Sequence, residues 1–319
     1  MEPEANTNRR INLHLPQSWN ECSTEELEHI ASAIIVTQAG VDRYHPFNWE
    51  KVKLMAMLNI NGIEVVRTVE GDHDDNDDSF FLVQRQGDKE PWPISTGQLC
   101  SLCEMLNWIN DDKHIRPIFT FPYPTLDVRG KKEEVRALSH LPSAIIRLQG
   151  PPPLLDGYTW HEYRLLTDWM QEYMRCANLV AQGKTEDVRS KSQTALDNAR
   201  NEFLAILFKP KEGTSDILHL TSDIFTAFDA VKWQVILLWW SSLMKQLAEK
   251  FPHVFKSQPT KRQRSQSPWD FYNRVTATLA DEYKTSEEDQ RNETYSVTLQ
   301  KLENIALKAA EMERLTHKK

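Results

Sequence analysis

Apolar residues spaced by threes and fours recur along most of this chain, the signature of amphipathic helices. In "STEELEHIASAIIVTQ" they fall at Leu27, Ile30, Ala31 and Ile34, with Ser23 as N-cap and Glu26 at N3, a capping box. A second helix is predicted across "FNWEKVKLMAMLNI" and a third across "STGQLCSLCEMLNWIN". From Thr159 the pattern strengthens. Thr159 and Glu162 form a capping box, and the stripe runs through Leu166, Trp169, Tyr173, Ala177 and Val180. Another helix covers roughly 185–208. "DIFTAFDAVKWQVILLWWSSLMKQLAEKF" follows and is apolar on nearly every side from Val235 to Trp240, the mark of a buried helix ended by Pro252.

β-rich runs concentrate in the N-terminal third. Ile63–Val69 and Ser79–Gln84 flank the acidic tract "EGDHDDNDD" and read as a hairpin, with "PWPIS" as a third short strand and "INLHLPQSW" as another. Residues 115–158 hold seven prolines, which exclude long helices and predict an irregular covering connector. Residues 256–267 form a polar linker. A fresh helix start then follows, with Ser267 as cap, Pro268 at N1 and Asp270 at N3. Thr285 and Glu288 read as a further capping box opening a last helix, whose stripe is Tyr295, Leu299, Leu302, Ala306, Ala309 and Met312.

The predicted fold is mainly α. A small α+β unit with one β-hairpin spans 1–114 and the Pro-rich connector 115–158. A helical bundle spans 159–255, the polar linker 256–267 and a C-terminal helical hairpin 268–319. Ten glycines in 319 residues argue against turn-rich β architecture, and ten tryptophans imply large buried contacts or interface anchors.

Charge narrows the function classes. Residues 1–150 carry 23 acidic and 15 basic side chains, whereas residues 151–319 carry 23 of each. Such a chain is poorly suited to phosphate backbones, which need clustered Lys and Arg. "KRQR" at 261–264 reads as part of the solvated linker. The four cysteines are too few and scattered for a disulfide framework. No apolar leader opens the sequence, and the longest apolar run, "VILLWW", is far short of a membrane span. These features predict a protein of the reducing cytoplasm.

The chemical candidates are few. Asp72, Asp74, Asn76 and Asp78 alternate like the first half of a calcium loop, but Asp77 stands where Gly is required and Val83 where a bidentate Glu is required. The tract reads as a solvated hairpin tip. Cys100 and Cys103 form a C-x-x-C one turn apart within a predicted helix, without a second ligand pair, and read as small buried hydrophobes. No zinc-helix, nucleophile-elbow, P-loop or dinucleotide motif occurs. No catalytic, cofactor-binding or metal-ligating residue is assigned. The candidate partner-binding residues are Trp269, Phe271, Tyr272 and Leu302, apolar anchors on the predicted hairpin.

Five stretches, "LPQSWNECSTEELEHIASAI", "FPYPTLDVRGKK", "NEFLAILFKP", "VKWQVILLWWSSLMKQLAEKFPHVFK" and "PWDFYNRVTATLADE", resemble an uncharacterised family encoded by bacterial prophages and related mobile elements. The resemblance implies a tail-assembly chaperone or adaptor in the bacterial cytoplasm, binding another protein, such as a tail component, and brings no catalytic residues. The competing expectation is a cytoplasmic enzyme or metal-dependent protein using the Cys100/Cys103 region and the acidic loop.

Overall fold

The computed structural model describes residues 12–41, 45–69, 80–110, 121–129, 145–183, 185–210, 222–226, 228–255 and 268–316; for residues 127–129, 145–146, 210, 222–223 and 268–271 it describes the backbone only. The fold is mainly helical, with a small three-stranded antiparallel sheet near the N-terminus. The chain divides into two compact units, Met1–Pro122 with Asp229–Ser242, and Tyr123–Phe228 with Leu243–Lys319.

In the first unit, α1 (Thr24–Ala39) begins at the predicted box. The Ser23 hydroxyl accepts from the Glu26 N–H, and the Glu26 carboxylate accepts from the Ser23 N–H at 2.7 Å. Leu27, Ile30, Ala31 and Ile34 are buried, as their spacing requires. α2 (Trp49–Ile60) is capped by Asn48 and packs on α1. It ends at Gly62, whose φ of +60° suits a residue without a Cβ and turns the chain into β1. β1 (Ile63–Val69), β2 (Phe80–Arg85) and β3 (Trp92–Ser95) form an antiparallel sheet in that order, with Val65 opposite Val83 and Val83 opposite Trp92. The acidic hairpin tip lies outside the described residues.

α3 (Thr96–Glu104) is shorter than the sequence predicts, and a separate 3-10 turn follows over Asn107–Ile109. That turn places Trp108 so that its indole N–H donates to the Pro16 carbonyl at 2.9 Å, with the Trp19 ring edge-on at 5.1 Å. The described part of "INLHLPQSW" is therefore not a strand. Its backbone is held by side chains instead, including the Asn61 amide, which accepts from the His14 N–H at 2.8 Å.

The second unit holds structure that the prolines concealed. β4 (Thr125–Arg129) and β5 (Ile145–Gln149) pair antiparallel, and β6 (Lys209–Pro210) adds a short edge. The predicted irregular connector thus carries two strands. Pro210 is tolerated because it stands on an edge. α4 (Trp160–Gln182) starts at the predicted Thr159–Glu162 box and pairs mainly with α5 (Glu186–Leu207). Its buried positions are Trp160, Tyr163, Arg164, Leu166, Met170 and Cys176, so the predicted stripe is rotated. Trp169, Tyr173, Ala177 and Val180 are only half-buried.

α6 (Ala230–Lys250) supplies residues to the first unit through Ser242 and to the second from Leu243. A 3-10 turn over Ser222–Phe225 precedes it where continuous helix was expected. Val235, Ile236, Trp239 and Trp240 are buried, whereas Leu237 and Leu238 are half-buried, so burial is less complete than the apolar run suggests.

The C-terminal segment contains three helices rather than the two of the predicted hairpin: α7 (Pro268–Tyr283), α8 (Glu287–Asn292) and α9 (Tyr295–Thr316). Ser267 lies outside the described residues. The cap of α8 is Ser286, whose hydroxyl accepts from the Asp289 N–H at 3.0 Å, not Thr285 with Glu288. α8 and α9 are separated because Thr294 bridges to Thr159. There the Trp160 N–H donates to the Glu293 carbonyl at 2.7 Å and the Tyr295 N–H to the Tyr158 carbonyl at 3.0 Å. These bonds tie the start of α9 to the start of α4.

Candidate functional site

The same junction stacks aromatic rings. Tyr272 of α7 lies on Trp160 at 5.6 Å, Trp160 on Tyr163 at 5.9 Å, and Tyr163 on Tyr295 at 4.7 Å, with interplanar angles of 25°, 24° and 19°. The spacing of Trp160 and Tyr163, one helical turn apart, puts both rings on one face of α4. The Arg164 guanidinium sits over the Tyr272 ring at 4.5 Å and pairs with the Asp168 carboxylate one turn further along. Trp160 also donates its indole N–H to the Thr276 hydroxyl at 3.3 Å, fixing α7 against α4.

Beside this column opens a pocket of about 600 Å³. Trp160, Tyr163 and Tyr272 give it aromatic surface, and Leu299, Leu302, Ile305 and Ala306 give it one side of α9. Met244 of α6, and Val254 and Phe255 just after it, complete the apolar lining. The polar contribution is small and comes from α4: Arg164, Thr167, Asp168 and Gln171.

The Val254–Phe255 wall is held by a buried carboxylate. Glu303 of α9 accepts from the backbone N–H groups of His253 and Val254, both at 3.0 Å, and its other oxygen meets His253 Nδ1 at 2.5 Å. Burial pushes the Glu303 carboxyl up, but the hydrogen bonds from His253 and Val254 outweigh it and hold the group below the ordinary carboxylate range. Burial also pushes the Tyr272 phenol up, and it lowers the proton affinity of His161, helped by Arg291 and Arg164.

Two of the four candidate anchors reach this pocket. Tyr272 is 2% exposed and is committed to the stack, so it forms wall rather than a projecting anchor. Leu302 is half-buried and faces the space. Trp269 and Phe271 belong to α7 by backbone, and their side chains lie outside the described residues. The sequence reading missed Arg164 and Asp168. Their i,i+4 spacing was a legible signal for an ion pair, but not for its burial. It also missed Glu303, an acidic residue inside an apolar stripe.

Cys100 is exposed and Cys103 buried, both on α3. Burial first, then the charges of Glu50 and Cys100, push the Cys103 thiol up to about 11, which keeps it protonated and unreactive at neutral pH. Among the described residues no group of three His, Cys, Asp or Glu side chains could hold a metal ion, and no helix is long and apolar enough to cross a membrane. The acidic tract and "KRQR" lie outside the described residues.

Along α9 the apolar stripe passes from covered to open. Tyr295 and Leu299 are each 1% exposed, Leu302 and Ala306 are half-buried, and Ala309 and Met312 are exposed, Met312 by 63%. No family model, curated protein or solved structure matches this chain.

Proposed function

We propose that the chain is a non-enzymatic protein-interaction module, a prophage tail-assembly chaperone or adaptor that shields an apolar helical segment of a tail component in the bacterial cytoplasm. The observation that carries this reading is the half-open apolar pocket of the second unit, whose α9 wall continues into the uncovered stripe at Ala309 and Met312. A helix laid along α9 would bury that stripe and insert one or two side chains into the pocket, the helix-in-groove mode of recognition. An open pocket beside exposed apolar residues costs solubility unless a partner covers it. The tail assignment rests on the resembling stretches, four of which contribute residues to this unit.

The test is co-expression with the products of adjoining tail genes. A double variant, Ala309→Glu with Met312→Glu, alters only exposed positions and should keep the parental melting temperature. It should lose the co-purifying tail protein, and photo-crosslinks from position 302 should map to a helical segment of that protein. Unchanged co-purification by a folded double variant would overturn the reading.

A further inference from the structure

We infer that the pocket is an aromatic-anchor site: it takes a Trp or Tyr side chain of the partner segment, with the donor of that side chain bound by the Asp168 carboxylate. This deepens the interaction reading above and rests on it.

About 600 Å³ lies within the range of pockets that enclose an organic group of roughly 300–1,000 Å³. The space is much more than one small aliphatic side chain fills, so a large planar group leaves less void. The wall chemistry comes next. Rings of Trp160, Tyr163 and Tyr272 offer aromatic surface for edge-to-face or offset contact, which favours an aromatic occupant over an aliphatic one.

The polar groups then decide what kind of aromatic. Arg164 is committed to the Tyr272 face and to Asp168 Oδ2, and its side chain is 7% exposed. The Thr167 hydroxyl donates back to the Arg164 carbonyl at 2.7 Å. Asp168 is different: its side chain is 28% exposed, and its second oxygen, Oδ1, accepts no hydrogen bond among the described residues. Gln171, the remaining polar residue of the lining, is exposed. The covered part of the wall therefore presents an acceptor. A purely apolar occupant such as Phe or Leu would strip water from this oxygen and return nothing. An anion would face the carboxylate directly. A cation would be buried close to the Arg164 guanidinium. A neutral donor on an aromatic frame avoids all three penalties: the indole N–H and the phenol O–H supply it, whereas an imidazole beside a carboxylate is driven toward its cation. The same two residues dominate the energetic centres of protein interfaces.

The experiment uses the purified full chain and small probes. Indole and 1-methylindole have nearly the same rings, but the second lacks the N–H. Titrations followed by NMR should show indole binding about tenfold more tightly, the value of one hydrogen bond to a charged acceptor. The preference should vanish in the double variant Arg164→Met with Asp168→Leu, which removes both charges together. If that variant does not fold, Ala306→Trp serves instead by filling the space, and both probes should then lose binding. The inference is overturned by absent indole binding, by equal affinity for the two probes, by a preference that survives the double variant, or by binding that Ala306→Trp leaves intact. Each of these could occur while the tail protein still co-purifies, so failure here is separable from failure of the interaction reading.

Discussion

Glu303 of α9 holds His253 beyond the end of α6: its carboxylate meets the imidazole Nδ1 at 2.5 Å and accepts the backbone N–H of the same residue at 3.0 Å. One buried acid thus anchors the segment that walls the pocket, by accepting N–H groups of residues that lie beyond the helix.

This contact sets a pH dependence. The folded Glu303 carboxyl titrates below its unfolded value, so its contribution is fully present above the unfolded pKa of about 4.3 and is lost as pH falls through the lower folded value. Glu303→Ala should cost about 1–3 kcal/mol at neutral pH by leaving the part-buried N–H groups of His253 and Val254 unmet. Its acid limb should also be flatter below about pH 4 than that of the parent. Urea denaturation across pH 3–7 reads both effects, and parallel acid limbs would remove Glu303 from the account.

Ile236 of α6 is fully buried, as is Val235, while Leu238 is half-buried. Ile236→Ala is expected to cost about 2–5 kcal/mol through lost transfer energy and a cavity. Leu238→Ala should cost clearly less, because part of its surface already meets water. Denaturant midpoints of the two variants decide this, and the reverse order would mean that the apolar run, not burial, governs the helix.

Lys284 closes α7 with φ of +56°, and the following Thr285 N–H donates to the Ala280 carbonyl at 3.0 Å. This is the left-handed helix end usually given to Gly. Lys284→Gly should therefore stabilise the protein, by up to about 1 kcal/mol, since a Cβ in that conformation costs about 1–2 kcal/mol and glycine's extra unfolded freedom returns part of it. Thermal melting is sufficient, and a lower melting temperature would count against a strained closure.

At the start of α4, the Thr159 hydroxyl accepts the Glu162 N–H at 3.2 Å while the Glu162 carboxylate accepts the Thr159 N–H at 2.8 Å. Thr159→Ala should lower stability by about 0.5–2 kcal/mol, and Thr159→Ser should restore most of it. Equal losses in both variants would point to the methyl group rather than the cap.

Local chemistry was readable wherever it depends on neighbours in sequence. The boxes at Ser23–Glu26 and Thr159–Glu162, the β1–β2 pairing and the helix over 186–207 follow from hydrogen-bonding side chains three residues apart and from period. Tertiary context decided the rest. Thr285 and Ser286 are both competent caps, and the chain uses Ser286 because Lys284 and Thr285 are spent closing α7. Strands β4 and β5 were hidden among prolines because their pairing joins residues about twenty apart, which no local period reports. The last helix was read as continuous through Glu293, but the bridge from Thr294 to Thr159 breaks it, and that bridge exists only once α4 is in place. The pocket was least legible of all. Leu302 and Tyr272 were visible as apolar residues. Whether each is a wall, an anchor or solvent-facing depends on the packing of Trp160, Tyr163, Arg164 and Asp168 around them, and burial is a property of the assembled fold.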